Sequence, residues 1–262
     1  MRIAAWIAAL AAAGSLLTTA CFVSVESPEA VGKEIIIFVD FSQSMGPENR
    51  ALIEQDFEKL IIPSLEAGDQ LLVAPINEQT LTSFYPLLAE TFPKKPEFNG
   101  WFDNTLQYNK ALKAVEEEVD VVQERIRAQV PKILQKSGGA QKTDIFGSLL
   151  MAEKLFDRVE RRKVLILMSD MIVDYPPYRF DRMSWSAEKT EKLLSELETS
   201  GLVADLSDVC IYVSGATAAS AQLVSQIGAF WQAYFERAHA DLHPSRYAHV
   251  LLHWPPSGAC DS

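Results

Sequence analysis

Histidine and cysteine are scarce here, with four and three residues in a chain of 262. All four histidines fall late: His239, His243, His249 and His253. His239 and His243 have the spacing of one helical turn, which a zinc site uses, but no acidic or cysteine partner stands nearby at ligand spacing. Surface and core histidines are the default reading. There is no Gly-rich phosphate loop, no nucleophile elbow and no HExxH, which removes the commonest signatures of nucleotide, acyl-transfer and zinc-hydrolase chemistry. Positive charge is also short: the formal net charge is −11 and the pI about 4.9. An acidic surface repels phosphate backbones, so no nucleic-acid partner is expected. A cation or a basic protein surface is easier to accommodate. No internal repeat occurs.

The early apolar run "IAAWIAALAAAGSLL" is too short for a comfortable membrane span but has the length of a signal-peptide core, preceded by Arg2. Residues 1–20 are read as a signal peptide and excluded from the fold. The run ends in "LTTAC", where a small residue before Cys21 suits cleavage after Ala20. This stretch resembles a bacterial lipobox, in which Cys21 would be lipidated. The other reading is plain cleavage. Residues 21–32 are polar and mixed, a tether. In an oxidising compartment, Cys210 and Cys260 either pair or stand as a buried thiol and a tail thiol.

From residue 33 the hydropathy pattern alternates between strands and helices. Continuous apolar runs at 34–40, 69–76, 163–170 and 209–215 are strands covered on both faces, as in a parallel sheet. A further strand is expected at 247–254 and a short antiparallel edge strand at "LTSFY", 81–85. Helical spacing of apolar residues appears at 47–65, 104–136, 144–159, 186–201 and 216–240. In 104–136 the stripe is Leu112, Val115, Val119, Val122, Ile126, Val130 and Ile133, with Pro131 predicting a kink or break. The pattern is that of a doubly wound α/β domain over residues 33–254, with a mostly parallel central sheet flanked by helices. The Pro-rich loop and long helix, about 92–140, read as an insertion near the functional face. Residues 255–262 form a tail.

Ligands of such sheets bind at the carboxyl ends of the strands. The first strand runs into "DFSQSM". Alternate side chains of an extended segment point the same way, so Asp40, Ser42 and Ser44 converge. Asp170 ends the third main strand at the same edge, and Thr143 stands just before a helix. Carboxylates and hydroxyls are hard oxygen donors, suited to Mg²⁺, with Mn²⁺ or Ca²⁺ as alternatives. The competing reading is that Ser42 and Ser44 cap the following helix and Asp170 merely ends a strand. Asp174, Tyr175, Tyr178 and Trp185, in the loop after the third main strand, are candidates for ligand contact or for local packing.

Taken together, Asp40-Phe41-Ser42-Gln43-Ser44, the distant Thr143 in "KTDIFGSL" and the distant Asp170 in "LILMSD" resemble the metal-ion-dependent adhesion site of the von Willebrand factor A (vWA) domain family, D-x-S-x-S…T…D. The resemblance implies that the hydroxyls are direct ligands and that the aspartates often act through water. It also implies a coordination position left open for a carboxylate from a protein partner. The reading that follows is an exported binding module of the cell envelope, periplasmic or anchored to the membrane through Cys21, and not an enzyme. Two alternatives stand beside it. One is a Mg²⁺-dependent phosphoester hydrolase, which would need a second acid where Ser42 stands. The other is a structural envelope lipoprotein with an incidental site.

Overall fold

The structure, a computed structural model, describes residues 32–98, 104–135 and 142–256. The signal peptide, nearly all of the tether, Cys21 and Cys260 lie outside the described residues. Six strands make the main sheet: β1 (Lys33–Asp40), β2 (Gln70–Ile76), β3 (Leu88–Thr91), β4 (Arg162–Met168), β7 (Val209–Ser214) and β8 (Tyr247–Ala248). Their spatial order is β3-β2-β1-β4-β7-β8, and only β3 runs antiparallel. A separate hairpin pairs β5 (Asp174–Tyr175) with β6 (Tyr178–Arg179). The expected doubly wound α/β architecture is present.

The apolar runs are two-faced, because side chains alternate along a strand. In β1, Ile36 and Phe38 enter the core that lies against α3 (Ile145–Phe156), α4 (Ala187–Thr199) and α5 (Ala221–Arg237). Ile35, Ile37 and Val39 enter the opposite core, against α1 (Pro47–Asp56) and α2 (Thr105–Gln135). Serine side chains start two helices: Ser186 Oγ accepts from Lys189 N, and Ser220 Oγ from Leu223 N. α1 does not end at Asp56 but continues as one π turn, Phe57–Ile61, and a 3₁₀ turn, Ile62–Ser64.

Four expectations need correction. Residues 81–85 are not a strand. Asn77, Gln79 and Thr80 close a turn on themselves through Thr80 Oγ1 and Asn77 Oδ1, and pairing starts only where Leu87 N reaches Val73 O at 2.7 Å. The edge strand is therefore Leu88–Thr91. The last strand is two residues long rather than eight. Beyond it Leu251 N turns inward to Asp56 Oδ2 (3.1 Å), and His253 has φ 57°, so the ladder ends. The helix expected over 216–240 begins only at Ala221 and closes at Arg237. Pro131 sits inside an unbroken α2.

The long helix lies along α1. Gln123 Nε2 donates to Leu65 O (2.9 Å), and Arg127 Nε to Glu58 Oε1 (2.9 Å), so α2 runs antiparallel to α1. Since α1 descends from the Asp40 edge, α2 climbs toward it. Its buried residues, Val122, Ile126, Val130, Ile133 and Leu134, all lie in the second half. Residues 105–118 include no buried side chain.

Candidate metal centre

β1 and β4 are adjacent, and their connections leave to opposite sides: β1 leads through α1 to β2, whereas β4 borders β7. This is the topological switch point, where a crevice opens at the carboxyl edge. Asp40 is the last residue of β1, and Asp170 stands two residues beyond β4. Both are buried, at 1% and 2% exposure.

A buried carboxylate must have its oxygens met. Asp40 Oδ1 accepts from Ser42 N (2.8 Å), and Oδ2 accepts from Ser169 Oγ (2.8 Å). The Ser42 and Ser44 hydroxyls lie 2.9 Å apart. The Ser44 hydroxyl stands near enough to the Asp170 carboxyl to oppose its rise, and Asp170 Oδ1 accepts from Ile172 N (2.9 Å). Asp40, Ser42, Ser44 and Asp170 thus gather at one place. Ser42 is buried and Ser44 is exposed, which opens the group to solvent on one side. The capping alternative fails: α1 is preceded by Gly46 and has no side-chain cap.

Thr143 is buried on the same rim. Its N–H donates to Asp174 O (3.2 Å), an antiparallel bridge to the segment that follows Asp170. Among the described residues its hydroxyl makes no hydrogen bond, so that oxygen is uncommitted. The next residue, Asp144, caps α3 by accepting from Gly147 N (2.9 Å).

The electrostatics are those of a site short of positive charge. Burial raises the Asp40 carboxyl; its hydrogen bonds to Ser42 and Ser169 and the charge of Arg50 oppose the rise. Asp170 is pushed up to about 6, by burial first and then by the charge of Asp40. Two carboxylates that burden each other, with hydroxyls between them, are a donor set that a divalent cation would relieve. No cluster of three or more His, Cys, Asp or Glu occurs among the described residues, so any metal here depends on the hydroxyls. A Mg²⁺-type ion fits that donor set; zinc does not.

Four contributors were not legible as site residues. Ser169 is fully buried; besides holding Asp40 it accepts from Met171 N (3.0 Å). Its only sequence signal is adjacency to a strand-terminal aspartate. Tyr247 comes from β8, and its phenol is raised by burial and then by the charge of Asp170. Gly215, at φ 105°, lets β7 pass behind the site; a Cβ there would meet Ser169 O at 3.1 Å. Met171 holds φ 64°, and its carbonyl accepts from Trp231 Nε1 (2.9 Å) of α5.

The other candidates separate. His239 lies 3.6 Å from Asp205, and His243 Nδ1 lies 2.7 Å from Ser245 Oγ; α5 ends before both, so the one-turn spacing does not place them together. Trp185 packs locally, 5.0 Å from Phe180 and 5.6 Å from Phe230 between ring centres. Tyr178 lies edge-on to Phe146 at 5.4 Å. Asp174 and Tyr175 stay at the rim. Cys210 is disulfide-bonded.

No family model matches this chain, and no curated protein matches it. Among solved structures, it is similar to proximal thread matrix protein 1 from the mussel byssus, with 17% identity over 71% of this chain and a TM-score of 0.33. The chain spans 38% of that protein's length. It is also similar to manganese-loaded TRAP protein of Plasmodium vivax, with 12% identity over 81% of this chain and 75% of that one, at a TM-score of 0.36.

Proposed function

We propose that this protein is a metal-dependent binding module of the vWA type. Asp40, Ser42, Ser44, Thr143 and Asp170 hold one Mg²⁺, directly or through water. The observation that carries this reading is the group gathered at the switch point: two buried, mutually repelling carboxylates beside two serine hydroxyls that lie 2.9 Å apart. Bound there, the metal supplies Lewis acidity and an open position for an external carboxylate. The protein's own residues orient the donors: Ser169 fixes Asp40, and the backbone of Ile172 fixes Asp170.

Two carboxylates roughly neutralise a divalent ion but act through water, which leaves a coordination position that an acidic residue of a protein partner would fill. A hydrolase is disfavoured because Ser42 stands where a second acid is needed. The "LTTAC" stretch supports export with anchoring through Cys21; no helix among the described residues is long and apolar enough to cross a membrane.

The test is calorimetric titration of Mg²⁺ into the metal-free protein, followed by titration of an Asp-containing peptide. Mg²⁺ uptake with stoichiometry near one, abolished by Asp40→Ala, and peptide binding only in Mg²⁺ are expected. No Mg²⁺ uptake, or peptide binding that persists in EDTA, refutes the proposal.

A further inference from the structure

Cys210 is fully buried and disulfide-bonded, and its partner lies outside the described residues. The chain's other cysteines are Cys21 and Cys260. The course of the segment after β8 decides between them. Cys210, Tyr212 and Ser214 are alternate residues of β7, so their side chains share one face. Cys210 and Tyr212 both enter the core against α1 and α2.

The segment after β8 meets that face from its carboxyl end downward. Leu251 N donates to Asp56 Oδ2 (3.1 Å), which also accepts from Ser214 Oγ (2.6 Å). Next, His253 O accepts from the Tyr212 hydroxyl (3.3 Å), and the Trp254 ring stands edge-on to Tyr212 at 5.3 Å between centres. Trp254 Nε1 donates to Ser64 Oγ (2.8 Å), in the 3₁₀ turn that follows α1. Pro256 O then accepts from Arg162 Nη1 (3.2 Å), at the first residue of β4 and so at the amino edge of the sheet. Residues 251–256 are therefore a strap antiparallel to β7, held first at Ser214 and then at Tyr212. Cys210 is the next residue on that face, about 7 Å below Tyr212 at the rise of a strand. The four residues from Pro256 to Cys260 span up to about 14 Å. The N-terminal side is less well placed. Gly32, just before β1, packs so closely on Gly68 that a Cβ would meet Gly68 O at 2.2 Å. β1 is thus entered from its β2 side, and β4 stands between β1 and β7.

We infer that Cys210 pairs with Cys260 and that the bond fastens the strap across β7 and α1. The two thiols join by exchange with an external disulfide. The Cys210–Cys260 S–S bond forms, the oxidant's S–S bond breaks, and two protons and two electrons leave with the oxidant as a pair of thiols. The bond therefore belongs to an oxidising compartment. It leaves Cys21 outside the pair, as the anchor proposed above requires, because a sulfur alkylated by lipid forms no disulfide. The inference does not depend on the metal.

The experiment uses the full chain, exported by its expression host and extracted without reductant. It is unfolded, alkylated, digested with trypsin and mapped by mass spectrometry with and without reductant. The peptide 193–237, which holds Cys210, is expected joined to the peptide 247–262, which holds Cys260, and the two separate on reduction. Cys260→Ser leaves Cys210 alkylated and lowers the melting temperature by roughly 4–16 °C. Cys210 joined to the peptide 21–33, which holds Cys21, or Cys210 alkylated in the unreduced wild type, overturns the pairing. A melting temperature that Cys260→Ser does not move overturns the fastening of the strap. The map is read on the wild type, so it decides the pairing even where the variant fails to fold.

Discussion

Asp170→Asn is the perturbation that best separates a metal centre from a structural strand end. In the metal-free protein the Asp170 carboxyl rises from 3.8 to about 6. Each unit is worth about 1.4 kcal/mol of preference for the protonated form, so the shift is about 3 kcal/mol. Because the folded-state value is the higher one, the native protein binds the proton more tightly than the unfolded chain. Metal-free stability therefore falls as pH rises through the window from about 4 to 6 and stays low above it. Asparagine carries no charge and keeps an oxygen for Ile172 N. At pH 7.5 in EDTA the variant should be more stable than the wild type by up to about 3 kcal/mol, or about 6–12 °C at 2–4 °C per kcal/mol for a domain of this size. In Mg²⁺ at a hundredfold over its Kd the order narrows, because the wild type gains about 2.7 kcal/mol and the variant gains little. Melting curves by circular dichroism, with EDTA and with Mg²⁺, from pH 4 to pH 8, measure all three quantities. A variant that melts below the wild type in EDTA, or that gains as much from Mg²⁺ as the wild type, refutes the reasoning.

Three further outcomes are expected. Ser169→Ala removes the donor to Asp40 Oδ2 and should cost about 1–3 kcal/mol, together with a weaker Mg²⁺ affinity by calorimetry; unchanged affinity would mean that Asp40 needs no positioning. Asp56→Ala strips the partner from Ser214 Oγ (2.6 Å) and Leu251 N (3.1 Å), so urea melts should show a loss of about 1–3 kcal/mol with Mg²⁺ affinity retained. Ile126→Ala on the buried half of α2 should cost about 2–5 kcal/mol, whereas Leu112→Ala on the first half should stay within about 1 kcal/mol; equal losses would show that the first half is packed after all.

The elements most readable from sequence were those written twice. β1 and β4 are apolar on both faces because both faces are covered, and the run of residues alone says so. Edges were read poorly for the converse reason. Residues 81–85 have strand-like composition, but their register is set by where Leu87 meets Val73, a long-range contact with no local mark. The last strand failed similarly, since Asp56, almost two hundred residues earlier, captures the N–H of Leu251. The helix stripe of α2 was visible in full, but which half would be covered depends on α1, β2 and β3 being there to cover it.

By itself the sequence determined the doubly wound chain of strands and helices and the oxygen-bearing side chains at strand ends, because hydrophobic period and strand-terminal polarity are local properties. Only the tertiary structure decided which of those oxygens are neighbours. The hydrogen bond from Ser169 to Asp40 and the repulsion between Asp40 and Asp170 span some 130 positions and exist because β1 and β4 pair side by side, which brings their carboxyl ends within reach in a medium too poor in water to leave either carboxylate alone.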